Sequence, residues 1–205
     1  MSGIMKPATA HDKPLQQIAC QQVLLEDSSV FSVQWTDLPA ACAAGVTAKT
    51  VCRSYLAAID RQTWGLIRHR EWEGELSFRL MGRYPLLVFE LPIAYGSTEH
   101  DELCLRIRGG LLVQSDACRR GELLFRVEPL PDGGSRVTLQ LSDYCPLLLG
   151  SRRPSLFRRW LYRLTQAAIH RLVTVRFLVG LYRELAGADA CVRLLRVKVR
   201  EGRPT

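Results

Sequence analysis

The sequence predicts an α+β protein in which an antiparallel sheet is covered by one long C-terminal helix. Three observations carry that prediction. Between Glu75 and Ser142 apolar residues alternate with polar ones, the period of strands with one dry and one wet face. Turn-forming clusters separate the runs, most plainly Pro131-Asp132-Gly133-Gly134, a strong hairpin signal. From Pro154 to Ala186 the apolar spacing becomes helical over 33 residues, roughly 50 Å of helix at the usual rise.

Residues 1–16, with Pro7 and Pro14, read as a flexible leader. Gln17–Leu25 reads as a first strand, ended by Glu26-Asp27-Ser28-Ser29. Val30–Trp35 is either a second short strand or the run into a helix, with Thr36 or Asp37 as its cap. Ala40–Gln62 reads as one or two helices broken near Gly45. Within it Val51, Tyr55, Leu56 and Ile59 repeat at helical spacing. Strands then follow at Trp64–Trp72, Glu75–Leu80, Leu86–Leu91, Leu103–Arg108, Leu123–Glu128 and Val137–Ser142. Gly109-Gly110, inside strand-like sequence, marks a bulge or a sharp bend.

In the long helix Phe157, Trp160, Leu161, Leu164, Ala168, Leu172, Val175, Val179 and Tyr182 form an apolar face expected to close the sheet. Arg159, Arg163, Gln166 and His170 fall opposite. Gly187 is the expected C-cap. Cys191–Val199 reads as a further strand or an extended basic tail. The expected organisation is a leader (1–16), one domain (17–187) and a basic C-terminal extension (188–205).

The 205 residues suffice for one domain with a substantial core. The net charge of +8 is unevenly placed. From Arg152 onward 13 basic residues face three acidic ones, a net +10, whereas the first 151 residues hold 15 basic and 17 acidic ones, a net −2. That asymmetry suggests an anionic partner at the helix and tail. Seven cysteines at scattered spacings, with no C-x-x-C, argue against a disulfide framework or a zinc site and for a reduced cytoplasmic compartment. The N-terminus has no secretory h-region, and no apolar run reaches membrane-spanning length. The expected location is cytoplasmic, with the periphery of the inner membrane as an option.

The run RGELLFRV…PDGG…VTLQL (Arg120–Leu141), feeding into an arginine-rich helix, completes an order of strand, helical insert, meander and long helix. In order and periodicity this resembles the helix-grip fold of the START-like (SRPBCC) superfamily, over residues 17–187. Similar runs occur in bacterial members. The resemblance implies a curved sheet wrapped around the last helix, and between them a cavity for an apolar small molecule or lipid. The strand-like tail and the helix length depart from the usual pattern.

The residues expected to line such a cavity are Phe78, Phe89, Tyr95, Phe125, Asp143, Tyr144, Trp160, Leu164 and Ala168. Arg152, Arg153, Arg158 and Arg159, at a helix start whose free N–H groups attract anions, are the expected anion-binding residues. With Phe157 and Trp160 they also fit a docking patch for an anionic membrane. No nucleophile elbow, H-x-x-x-H or H-E-x-x-H pattern occurs, so no catalytic residue, metal or cofactor is assigned. An enzyme reading, cyclase- or hydrolase-like, needs Glu90, Asp143, Tyr144 or His170 to converge inside the cavity. Nucleic acid is not an expected partner, since none of the usual binding motifs is present.

Overall fold

The structure, a computed structural model, describes residues 16–96, 100–114, 121–149, 155–187 and 191–205. The expected leader therefore lies almost wholly outside the described residues, as do Arg152 and Arg153. The elements are β1 (Gln16–Leu24), β2 (Val30–Leu38), α1 (Ala40–Ala43), α2 (Ala48–Gln62), β3 (Ile67–Trp72), β4 (Glu75–Leu80), β5 (Tyr84–Glu90), β6 (Ile93–Gly96), β7 (Asp101–Gly109), β8 (Glu122–Pro129), β9 (Ser135–Tyr144), α3 (Leu156–Tyr162), α4 (Ala168–Ala186), β10 (Val192–Arg196) and β11 (Arg203–Pro204). Residues 163–167 form a π-helical turn that joins α3 to α4 without a break.

The described strands form one curved sheet in the order β10-β1-β2-β9-β8-β7-β5-β4-β3, with β11 added to β1 and β6 to β7. Pairing is antiparallel except between β1 and β10, which run parallel. This is the expected α+β helix-grip arrangement. Val30–Leu38 is a strand rather than the run into a helix, because it pairs along its length with both β1 and β9. The tail after Gly187 joins the sheet as β10 and β11.

Local chemistry explains the connections. Between β8 and β9, Gly133 takes φ +81° and Asp132 Oδ1 accepts the Gly134 amide at 3.0 Å, which closes the predicted hairpin. Gly110, at φ +121°, lies so close to β5 that a Cβ there would stand 2.4 Å from the Leu86 carbonyl oxygen. Only glycine fits this bend. Helix α2 starts with a capping box between Thr47 and Thr50, and Asp101 of β7 accepts the Ala48 amide at 2.7 Å. At its other end Asp60 accepts the His69 amide of β3 at 3.0 Å.

Two helices share the sheet's concave face. Helix α2 packs on β7 and β8, and α4 on β1 and β2. Tyr55 of α2 sits where they meet, edge-on to Phe125 at 5.4 Å and to Phe177 at 5.3 Å. A separate cluster (Val23, Phe31, Val33) lies on the outer face of β1 and β2. There Arg200 of the tail stacks over Phe31 at 5.1 Å, and the Gln21 carboxamide accepts the Val199 and Arg200 amides at 2.7 and 2.8 Å.

Two expectations need correction. The buried face of the last helix is Tyr162, Ala167, Thr174, Phe177, Leu178, Leu181 and Tyr182, while Trp160, Leu164 and Leu172 are exposed. The helix presents the opposite side to the sheet: Gln166 and His170, expected outside, face the polar half of β1 and β2, so polar residues rather than the broadest apolar stripe meet the sheet. The cysteines are not uniformly reduced either. Cys145 is disulfide-bonded, whereas Cys20, Cys42, Cys52, Cys104 and Cys191 are free. A bridge requires proximity in space, which sequence spacing does not report.

Candidate functional site

The inner face of the sheet changes character from one half to the other. Strand register aligns Leu103, Phe125, Leu139, Gln34 and Cys20 in one row across β7, β8, β9, β2 and β1. The neighbouring row is Leu105, Leu123, Leu141, Ser32 and Gln22. Each row is apolar on β7–β9 and polar on β2 and β1. Thr36 extends the polar side, paired between Ile18 and Val137. These positions share strand parity with Ile18, Val30 and Leu38, which belong to the main core with Phe177 and Leu178 of α4. The polar side chains are therefore turned toward α4, away from solvent.

The helix meets them with polar groups of its own. Tyr162 lies beside Gln22, Arg171 faces Cys20 electrostatically, and Thr174 is beside Tyr55. Gln166, His170 and Thr174 follow one another at four-residue spacing along this face. Gln166 Nε2 donates to the Tyr144 hydroxyl at 3.1 Å, and that hydroxyl donates to the Leu112 carbonyl at 2.8 Å. Gln34 Nε2 donates to Ser32 Oγ at 2.7 Å.

Hydrogen-bonding capacity is nevertheless left over. Gln22 Nε2, Gln34 Oε1, Gln166 Oε1, His170 Nε2 and Thr174 Oγ1 are all enclosed without a partner of good geometry. Thr174 is 0% and Gln34 1% exposed. Enclosing such an atom unpaired costs about 1–3 kcal/mol, and native interiors hold few of them. Gln22 engages the Tyr162 hydroxyl and Thr174 the Tyr55 hydroxyl, which leaves Gln34 Oε1, Gln166 Oε1 and His170 Nε2 without a partner at one interface.

Electrostatics at this interface favours neutral groups. Burial lowers the His170 imidazole from 6.5 to about 4, so the ring is uncharged at neutral pH. Burial raises the Tyr55 hydroxyl to about 12 and pushes Tyr144 and Tyr162 up as well. The Cys20 thiol is raised by burial, against the smaller opposing pull of Gln34 and Arg171. Such a thiol is a poor nucleophile. The site offers two spare carbonyl acceptors, on Gln34 and Gln166, and one imidazole nitrogen able to act either way.

The residues expected to line a cavity are dispersed. Phe125 and Tyr144 are buried in the interior; Phe78 and Phe89 are buried too, but edge-to-face on each other at 5.3 Å in β4 and β5. Ala168 is half-buried, while Tyr95, Trp160 and Leu164 are exposed. Asp143 does not continue the inward series of Val137, Leu139 and Leu141. The pairing of β2 with β9 slips between Val30 and Ser32, and Asp143 adopts φ +50°. This bulge sends Tyr144 inward in its place. Arg158 is exposed and Arg159 half-buried. Glu90 is exposed on β5, on the other side of β7 and β8 from the interior that holds Tyr144 and His170. Among the described residues no group of three or more His, Cys, Asp or Glu is placed to hold a metal ion.

Sequence reading passed over Cys20, Gln22, Ser32, Gln34 and Thr36. Their signal is present as a period-two series of polar residues on two strands whose opposite parity is apolar, with Val23, Phe31 and Val33 on the other face. Alternation alone suggests a wet polar face, and only the position of α4 shows that face to be the enclosed one.

A curved antiparallel sheet with a long C-terminal helix across one face defines the helix-grip fold, here with a mainly apolar interior that carries one neutral polar patch. No protein-family model matches the chain, and no curated protein sequence matches it. Among solved structures it is similar to CalU16 from Micromonospora echinospora by solution NMR, at 12% identity and TM-score 0.37 over 89% of this chain and 81% of that one. Protein Ms6760 from Mycobacterium smegmatis matches at 10% identity and TM-score 0.40, over 82% of this chain and 98% of that one. The crystal structure of CalU16 matches at 11% identity and TM-score 0.30, over 83% and 96% of the two chains. At these identities and scores no ligand or activity carries over.

Proposed function

We propose that the chain is a START-like binding protein that takes a largely apolar small molecule or lipid between its sheet and C-terminal helix. The ligand's polar group is held by Gln22, Gln34, Gln166, His170 and Thr174. The observation that carries the reading is a cluster of enclosed polar side chains at one sheet–helix interface, in which Gln34 Oε1, Gln166 Oε1 and His170 Nε2 have no partner. Leu103, Phe125 and Leu139 adjoin the patch in the same register rows beneath α2 and Tyr55, so the ligand's apolar part enters there as α2 shifts to admit it. The enclosed groups are uncharged, so they favour a neutral hydroxyl, carbonyl or amide there. An anionic group on the ligand belongs nearer the arginines of α3, outside this patch.

Native mass spectrometry of the protein purified from expressing cells tests this. The expected result is a bound organic species that is lost in Gln34→Leu and Thr174→Val, both of which stay folded. Protein that carries no such species, with ordered water alone at these three atoms in a crystal structure, overturns it.

A further inference from the structure

We propose that the exposed face of α3 and the start of α4 is a docking surface for an anionic lipid bilayer. Leu156 and Phe157 begin the face, 81% and 67% exposed, followed by Trp160 and Leu164, each 57% exposed, then Ile169 and Leu172. From Phe157 the spacings are three, four, five and three residues. The five-residue step crosses the π-turn at 163–167, which keeps the strip on one side of the helix where a uniform helix would turn it away. Phe157 and Trp160 stack at 6.3 Å and form a rigid aromatic wedge. Leu147, 50% exposed, belongs to the short turn at Leu147–Leu149 that packs against α3. The Leu147 amide donates to the Leu112 carbonyl at 2.9 Å, and the Gln166 side chain reaches the same oxygen.

Charge identifies what covers the strip. Residues 155–183 contain six arginines and no carboxylate. Arg158, Arg163, Arg171 and Arg176 are exposed around the apolar residues. A second copy of this chain docked by the same face would bring arginine rows together and pay like-charge repulsion. A bilayer containing anionic headgroups satisfies both features, since the apolar strip enters the acyl boundary while the guanidinium forks meet phosphates. No helix among the described residues is long and apolar enough to cross a membrane, so the contact lies in the plane of the interface.

The test is sedimentation of the full chain with vesicles of phosphatidylcholine and phosphatidylglycerol, against phosphatidylcholine alone. Binding is expected to the anionic vesicles, weakening with salt. Phe157→Glu with Trp160→Glu, and separately Arg158→Glu with Arg163→Glu, should each lower the partition coefficient about tenfold or more. All four positions are exposed, and circular dichroism with a thermal melt confirms that the variants stay folded. Wild-type protein left in the supernatant, or binding unchanged in both double variants, overturns the proposal. So does a dimer in sedimentation velocity that is abolished by Trp160→Glu while vesicles bind nothing.

Discussion

His170 is where burial and titration meet most directly. The residue is half-buried overall, its Nε2 is enclosed and unpartnered, and burial lowers the group to about 4 from 6.5. Between those values the unfolded chain holds a proton that the folded chain lacks. The His170 contribution is therefore fully present above the unfolded value and is lost as pH falls toward 4. A shift of that size corresponds to at most about 3 kcal/mol, less the relief that partial exposure allows. Urea unfolding of wild type and His170→Gln across the acid range should show the variant losing less stability than wild type below about pH 6.5; parallel curves would refute the assignment. Gln34 belongs to the same class of residue, with its Oε1 held in the core unpaired at a cost to stability.

Among the elements, α2 and α4 divide one concave face between them. Tyr55 joins the division, touching Phe125 below and Phe177 alongside, with its hydroxyl beside Thr174. Tyr55→Ala should cost about 3–5 kcal/mol through the cavity it leaves, while Tyr55→Phe should cost no more than about 1.5 kcal/mol. Equilibrium urea unfolding of both variants checks the pair, and equal losses would mean that the hydroxyl, not the ring, holds the helices together. The last helix likewise presents two different faces, one enclosed and one exposed. Tyr162 and Ala167 lie inside, Leu164 and Ile169 outside. The apolar stripe was legible, but which side of the helix is enclosed was not, because that depends on the residues of β1 and β2 that the helix packs against.

At the level of the molecule, the tail completes the sheet. β10 pairs with β1 from Gln16 to Cys20, and β11 covers Val23 and Leu24. Gln21 and Phe31 hold the segment between them through Val199 and Arg200. Deletion of residues 191–205 should expose the β1 edge, lower the melting temperature by several degrees and promote aggregation of the kind that unpaired edges allow. Thermal melts and light scattering would show it, and an unchanged melt would mean that the tail adds nothing to the sheet. The alternation at Val137, Leu139 and Leu141, the hairpin at Pro131–Gly134 and the bend at Gly110 were all readable in advance, since each depends on residues close in sequence. The slip that turns Asp143 aside was not, because it depends on how β9 meets β2.

The sequence by itself determined that this chain builds an antiparallel sheet with a helical insert and a long, arginine-rich final helix. Those features rest on periodicity, turn chemistry and local charge, which act over a few residues. Only the tertiary structure decided which face of each element is enclosed. It placed α4 over the polar side of β1 and β2, turned Gln166 and His170 inward, and left Trp160 and Leu164 in the open. Burial is a property of what an element packs against, and the same alternating polar side chains serve a solvated face or a buried binding site according to their neighbour across the gap.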